Sequence, residues 1–320
     1  MRTIILSFLL LTAPCIAADG AGVLWHEPGN ITVADWTWGP SGEARAPKAP
    51  FEFVAEDFKG TNAKVKVRDA NGAHWTVKFG GEDHGDVFAG RLLYAMGYEA
   101  QSSYFIRNGV ITGAHGLKRA KPFLGKHGEF AYARFKLHES KKAAVESADW
   151  SWTNNPFVGS HELNGLKILM MLMSNWDAKD SRDGKGSNTA IYALNGANGK
   201  QLWYAFDDWG ATLGKWGGFF SRDKWDTDGY SQQTASFVRL DGGVLHWGYH
   251  GKHNADITSG IRIEDVQWLL TYLSRVTDEQ LRSGLQASGA CPSDTETYAR
   301  AIRARISQLQ RVAGGLNSTR

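Results

Sequence analysis

Between Val65 and Phe79 apolar and polar positions alternate in two runs separated by a turn signal. "NAKVKVRD" sets Val65 and Val67 against charged neighbours, and "AHWTVKFG" resumes the alternation after Ala70-Asn71-Gly72. A period of two marks half-buried strands, and Asn-Gly accepts the positive φ of a tight turn, so the segment predicts a β-hairpin. The period then lengthens. In "GEDHGDVFAGRLLYAMGY", Val87, Leu92, Leu93 and Met96 follow helical spacing, and Gly97 ends the run. "EFAYARFKL" returns to the strand pattern.

After about residue 140 the character changes. "SHELNGLKILMMLMSNW" predicts a strongly apolar helix, in which Met170, Met171 and Met173 are core fillers rather than a metal box. "TAIYAL" and "QLWYAF" flank Asn198-Gly199 as a second hairpin. The remainder reads as mostly helical, with capping boxes opening helices at Thr277–Gln280 ("TDEQ") and Ser293–Glu296 ("SDTE"). Strands followed by helices, without βαβ alternation, predict an α+β fold with a sheet-rich first lobe and a mostly helical second lobe.

The first residues read differently. "MRTIILSFLLLTAPCIAADG" has a charged start, an apolar stretch and small residues before Ala18, so residues 1–18 are expected to be a secretory signal peptide. The stretch is too short for a helix spanning a bilayer, which needs about 20 residues. The mature chain is expected to be exported, periplasmic or extracellular, with no membrane span. Loss of Arg2 with the leader leaves 35 basic residues of 36 against 33 acidic ones, a net charge of +2. That balance, without a dense basic stripe, argues against a nucleic-acid partner. Cys291 would be the only remaining cysteine, so no internal disulfide is available. The 13 tryptophans fit core packing, and sugar stacking would need exposed rings.

Candidate chemistry lies in the order of the polar positions. Lys78 ends the second hairpin strand, and Glu82 and Asp86 open the next helix. Asp177, Lys179 and Asn188 follow the apolar helix, and Asp208 follows the second hairpin in "AFDDWGATLG". A strand Lys, a helix acid, a loop Asp followed by Asn, and an Asp before x-Gly are the parts that phosphoryl transfer needs.

On those residues the chain resembles a divergent member of the protein-kinase-like superfamily, akin to HipA-type and atypical bacterial kinases. "HWTVKFG" resembles the strand ending in a phosphate-binding Lys, "NWDAKD…SN" the catalytic loop, and "FDDWGATLG" the Asp-x-Gly metal motif. The likeness covers most of residues 55–215. It implies an N-lobe over 51–138 and a C-lobe over 139–320, while residues 19–50, rich in Gly, Pro and Ala, read from their composition as an irregular lead-in. It further implies ATP with Mg²⁺ or Mn²⁺, Lys78 on phosphate with Asp86 or Glu82 as its acid, Asp177 as base beside Lys179, and Asn188 and Asp208 on metal. The acceptor, protein or small molecule, is not legible.

The departures are specific. No G-x-G-x-x-G precedes Lys78; the substitute is "KGTNAK", with Gly60 and Lys64 as the phosphate-covering pair. The interval from Asp177 to Asn188 is longer than the D-x-x-x-x-N of the family, and "RDGKG" reads as an insertion within it. Asp183 stands five before Asn188 and is the rival base. Two other function classes stand beside the kinase: a non-catalytic nucleotide-binding module, and a carbohydrate-active hydrolase using Asp207-Asp208. "DAKDSRDGKGSN" does not have the acid spacing of a calcium loop. His246, His250 and His253 lack closed zinc-site spacing.

Overall fold

The computed structural model describes residues 22–60, 62–81, 83–138, 142–144, 148–184, 186–196, 199–217 and 222–314. The expected leader and Glu82 lie outside the described residues. The architecture is α+β, sheet-rich in its first part and helix-rich in its second, the two-lobed arrangement that the sequence predicts.

Five strands build the first lobe: β1 (Phe51–Glu56), β2 (Lys64–Arg68), β3 (His74–Phe79), β4 (Ser103–Thr112) and β5 (Glu129–Leu137). They form a closed barrel in the order β1-β2-β3-β5-β4, sealed by a parallel pairing of Phe51 with Ile111. The predicted hairpin pairs Val65 with Val77 and Val67 with Trp75. Its turn is held by Asp69, whose carboxylate accepts the N–H groups of Asn71 and Ala73 at 2.9 Å, with Gly72 at φ 78°. Alternation sends Val65, Val67, Trp75, Val77, Phe79 and Phe135 into a barrel core of their own. Each such burial contributes about 1.5–3 kcal/mol. The same alternation turns Lys64, Lys66, Lys78, Arg134 and Lys136 to the other face.

The second core is larger. α2 (His161–Leu172) runs through its centre, opened by Ser160, whose hydroxyl accepts the Leu163 N–H at 3.2 Å. Met170, Met171 and Met173 are buried within it. Around it stand α3 (Thr227–Thr234), α4 (Ile263–Leu273), α5 (Asp278–Ala287) and α6 (Pro292–Gly314). The capping box at Thr277 forms as expected, with Thr277 and Gln280 bonded reciprocally. The one expected at Ser293 does not: α6 begins at Pro292, whose missing N–H suits a first helical position, so Ser293 lies inside the first turn. Two further short strands, Val238–Asp241 and Val244–Trp247, interrupt the helical part as a hairpin.

α1 (Asp83–Ala95) bridges the lobes. It follows β3 directly, yet Phe88, Leu92, Leu93 and the adjoining Met96 pack into the helical core. The irregular lead-in docks there too. Leu24, Ile31 and Trp36 are buried in that core, the Trp25 indole donates to the Met96 carbonyl at 2.7 Å, and the Gln280 amide donates to the Ile31 carbonyl at 2.6 Å. The second hairpin joins β6 (Thr189–Gly196) to β7 (Gly199–Phe206), with Thr189 opposite Phe206. None of the 13 tryptophans is exposed. No helix among the described residues is long and apolar enough to cross a membrane.

Candidate active site

The end of β3 and the start of α1 meet at a buried carboxylate. Lys78 is 7 % exposed and Asp86 6 %, and Lys78 Nζ lies 3.8 Å from Asp86 Oδ2. Arg134, which pairs with Lys78 across β3 and β5, donates to the same oxygen at 2.7 Å. The other oxygen accepts the backbone N–H of Trp209 at 2.8 Å. Asp86 therefore ties the strand lysine to the Asp208-Trp209-Gly210 segment. One turn earlier Asp83 is fully buried, and neither of its oxygens has a hydrogen-bond partner. Burial pushes its carboxyl well above the usual range, against the pull of Arg134 and Lys78.

The opposite wall comes from the loop after α2 and the open end of the β6–β7 hairpin. Asn188 donates through its side-chain amide to the Asp177 carbonyl at 2.7 Å and lies 3.5 Å from its carboxylate. Lys179 Nζ is 3.0 Å from Asp177 Oδ2, and Lys252 Nζ is 3.6 Å from Oδ1. The Asp207 N–H donates to the Asn188 carbonyl at 2.7 Å, extending the hairpin ladder by one pair. The strands thus set Asn188 opposite Asp207, with Asp208 one residue beyond. Asp208 Oδ1 accepts the Gly210 N–H at 3.1 Å. Burial raises the Asp208 carboxyl, but Lys78, the Gly210 N–H, Arg134 and Lys179 together hold it below the usual carboxylate range.

The loop between Asp177 and Asn188 carries a second network, joined to Asp177 through Lys252, whose Nζ also lies 3.9 Å from Asp183 Oδ1. His253 Nε2 lies 2.6 Å from Asp183 Oδ2, and that oxygen also accepts the Asp180 N–H at 2.9 Å. Arg182 clamps Asp180 and Asp256, each at 2.6 Å. Asp180, Asp183 and His253 bring ligand atoms within 4.8 Å of one another, but Arg182 and Lys252 already match their charge. His246 and His250 stand outside this group.

Between the two walls lies a cleft of about 880 Å³, bordered by Lys78, Asp86, Lys179, Asn188 and Asp208. Lys59, Gly60 and Asn62, from the turn between β1 and β2, and Lys64, the first residue of β2, also border it. Arg119 pins that turn by donating to the carbonyls of Phe58 and Gly60 at 3.0 Å. Burial lowers the Lys64 amine, with Asp57 opposing and Lys78 and Arg134 reinforcing the effect. Arg134, Lys136 and Tyr192 also border the cleft without having been singled out in the sequence, as does Asp207, named there only for the hydrolase alternative and here accepting the Tyr192 hydroxyl. For Arg134 and Lys136 the signal was there: both occupy polar positions of "EFAYARFKL", on the face that carries Lys78. Lys252 had no such signal, because only the fold brings it to Asp177.

No protein-family model matches the chain, and no curated protein matches its sequence. Among solved structures, a Helicobacter pylori proinflammatory kinase, CtkA, is similar over 86 % of this chain and 99 % of its own, at 11 % identity and TM-score 0.49. The Golgi casein kinase with Mn/ADP bound is similar over 85 % of this chain and 74 % of its own, at 11 % identity and TM-score 0.43. A second structure of the Golgi casein kinase gives 86 %, 74 %, 11 % and 0.42.

Proposed function

We propose that the protein is an exported, kinase-like phosphotransferase that binds ATP with Mg²⁺ or Mn²⁺ and transfers the terminal phosphoryl group to a hydroxyl acceptor. The observation that carries this reading is the Asp86 carboxylate, which gathers Lys78, Arg134 and the Trp209 N–H at one point. That contact brings the phosphate-binding lysine and the Asp-x-Gly segment together, as charge neutralisation of a polyphosphate requires.

Each residue then has a task. Lys78 neutralises phosphate charge at the cleft's inner end. Asp177 accepts the proton of the attacking hydroxyl, held between Lys179 and Lys252. Asn188 fixes Asp177 through its amide N–H groups, which turns its amide oxygen to other use. That oxygen and the Asp208 carboxylate are hard oxygen donors of the kind Mg²⁺ takes, and Asp208 is kept anionic by its cationic neighbours. A cation held there would offset phosphate charge.

A thermal-shift titration with ATP, with and without Mg²⁺ or Mn²⁺, tests the reading. Ligand at one hundred times Kd stabilises a folded protein by about 2.7 kcal/mol. A metal-dependent shift together with phosphoryl transfer supports the enzyme. A shift without transfer would leave a non-catalytic binding module. The absence of any metal-dependent shift sinks both. The hydrolase reading is disfavoured because among the described residues no tryptophan borders the cleft to stack on a sugar and Asp207 is already engaged by Tyr192.

A further inference from the structure

The roof of the cleft carries more positive charge than one phosphate tail explains. Lys64, Lys78 and Arg134 form one row across β2, β3 and β5, paired residue to residue. One step along the strands, Lys66 and Lys136 flank Thr76 in a second row on the same face. Strand spacing makes this patch about 10 Å wide, and two residues of strand rise make it about 7 Å long. All five cations border the cleft, which among the described residues has seven cationic side chains against four carboxylates.

The second row is where a nucleobase would need an apolar platform, since pockets for planar rings are lined mainly by apolar and aromatic groups. Leu137 is the one aliphatic residue among the described residues bordering the cleft, and it pairs with Trp75 on the face turned into the barrel core; the two aromatic rings there, Tyr192 and His138, are each held by polar partners, Tyr192 by Asp207 and Gln101 and His138 by Thr76. Thr76 is hydrogen-bonded at 2.6 Å to His138, another polar neighbour. The inner row suits phosphates; the outer row suits more of them.

We propose that the outer half of this cleft binds phosphate groups in place of a base, and that the ligand is a condensed inorganic phosphate chain. This rests on the phosphotransferase reading above: ATP engages the inner row through its triphosphate alone, and a longer phosphate chain engages both rows. In the transfer, the acceptor oxygen bonds to the terminal phosphorus and the bond from that phosphorus to the bridging oxygen breaks. The electron pair stays on the shortened chain, beside the cationic roof, and the hydroxyl proton passes to Asp177.

Isothermal titration of the whole protein, with Mg²⁺ in excess over phosphate, compares long-chain polyphosphate, tripolyphosphate, ATP and adenosine. Polyphosphate is expected to bind about tenfold or more tighter than ATP, and tripolyphosphate as well as ATP, because charge-assisted contacts continue where a base would find none. The double variant Lys66→Ala/Lys136→Ala should lose about tenfold in polyphosphate affinity and keep tripolyphosphate affinity within about threefold. ATP outbinding tripolyphosphate by about tenfold, or a double variant with unchanged polyphosphate affinity, overturns the inference and leaves a nucleotide kinase. Failure of all four to bind overturns the phosphotransferase reading as well.

Discussion

Arg134 donates to Asp86 at 2.7 Å, well inside the 3.8 Å that separates Lys78 from the same oxygen. The buried acid therefore has a resident cation other than the lysine. Lys78→Met should leave the melting temperature nearly unchanged while weakening metal-dependent phosphate binding by about tenfold or more. Arg134→Met should do the reverse to stability, costing about 3 kcal/mol, because a buried charge loses its short partner. Chemical denaturation and ligand titration of the two variants check this; equal loss of stability in both would refute the division.

Asp177 and Asp183 separate by what each already holds. Asp177→Asn should lower phosphoryl transfer by about 10²–10⁴-fold with ligand affinity largely kept, as loss of a proton acceptor does. Asp183→Asn should instead cost about 1 kcal/mol of stability through its contacts to His253 and the Asp180 N–H, and leave transfer intact. Single-turnover rates decide the matter, and a dead Asp183→Asn beside an active Asp177→Asn would move the base to the five-residue spacing.

Asp83 gives a pH dependence with a definite sign. Its folded carboxyl titrates well above the usual value because of burial. Such a group adds stability while protonated and loses it as pH rises from the ordinary carboxylate range through the folded value. Asp83→Asn should accordingly flatten the decline on that limb and melt higher than the wild type at neutral pH, with little difference at the acid end. Melting curves across pH test it, and a variant less stable at neutral pH would show that Arg134 and Lys78 outweigh the burial.

Arg305 fixes the approach to the loop that carries Asp177. Fully buried on α6, it donates to the Met171 and Leu172 carbonyls at the end of α2, to the Ser174 hydroxyl at 2.7 Å, and to Thr234 and Tyr230. Ser174 has φ 49°, a left-handed conformation costing on the order of 1–3 kcal/mol that these bonds help to hold. Arg305→Met should destabilise the protein by about 3 kcal/mol, leaving several carbonyls unpaired in the core. Transfer should fall under conditions where circular dichroism still reports a folded chain.

The sequence made the barrel hairpin, α1 and α2 legible because Val65 to Phe79 and Val87 to Met96 carry clean periods of two and of about 3.6. The docking of Leu24, Ile31 and Trp36 was not legible, since isolated apolar residues in a Gly- and Pro-rich stretch have no period to read. Spacing alone left Asp177 and Asp183 as rivals; the structure pairs Asp183 with His253, a residue remote in sequence. Asp86 and Glu82 were equally open, and Asp86 is the acid seen beside Lys78, Glu82 lying outside the described residues. Allegiance of α1 to the helical core could not be read either, because its apolar face fits either lobe.

That allegiance governs how the molecule can flex. Phe88, Leu92 and Met96 root α1 among the helices, so Asp86 rides with one body while Lys78 and Arg134 ride with the other. A jaw-like opening would have to pull two cations off one carboxylate in a poorly solvated seam, where that separation is most expensive. The carboxylate thus behaves as a latch across the joint, and an anionic ligand that recruits Lys78 would loosen one of its two hasps. Asp86 thus joins occupancy of the cleft to the freedom of the barrel to swing, beside two further ties from α1 to β4, Arg91 on the Ser103 carbonyl and His84 against Phe105.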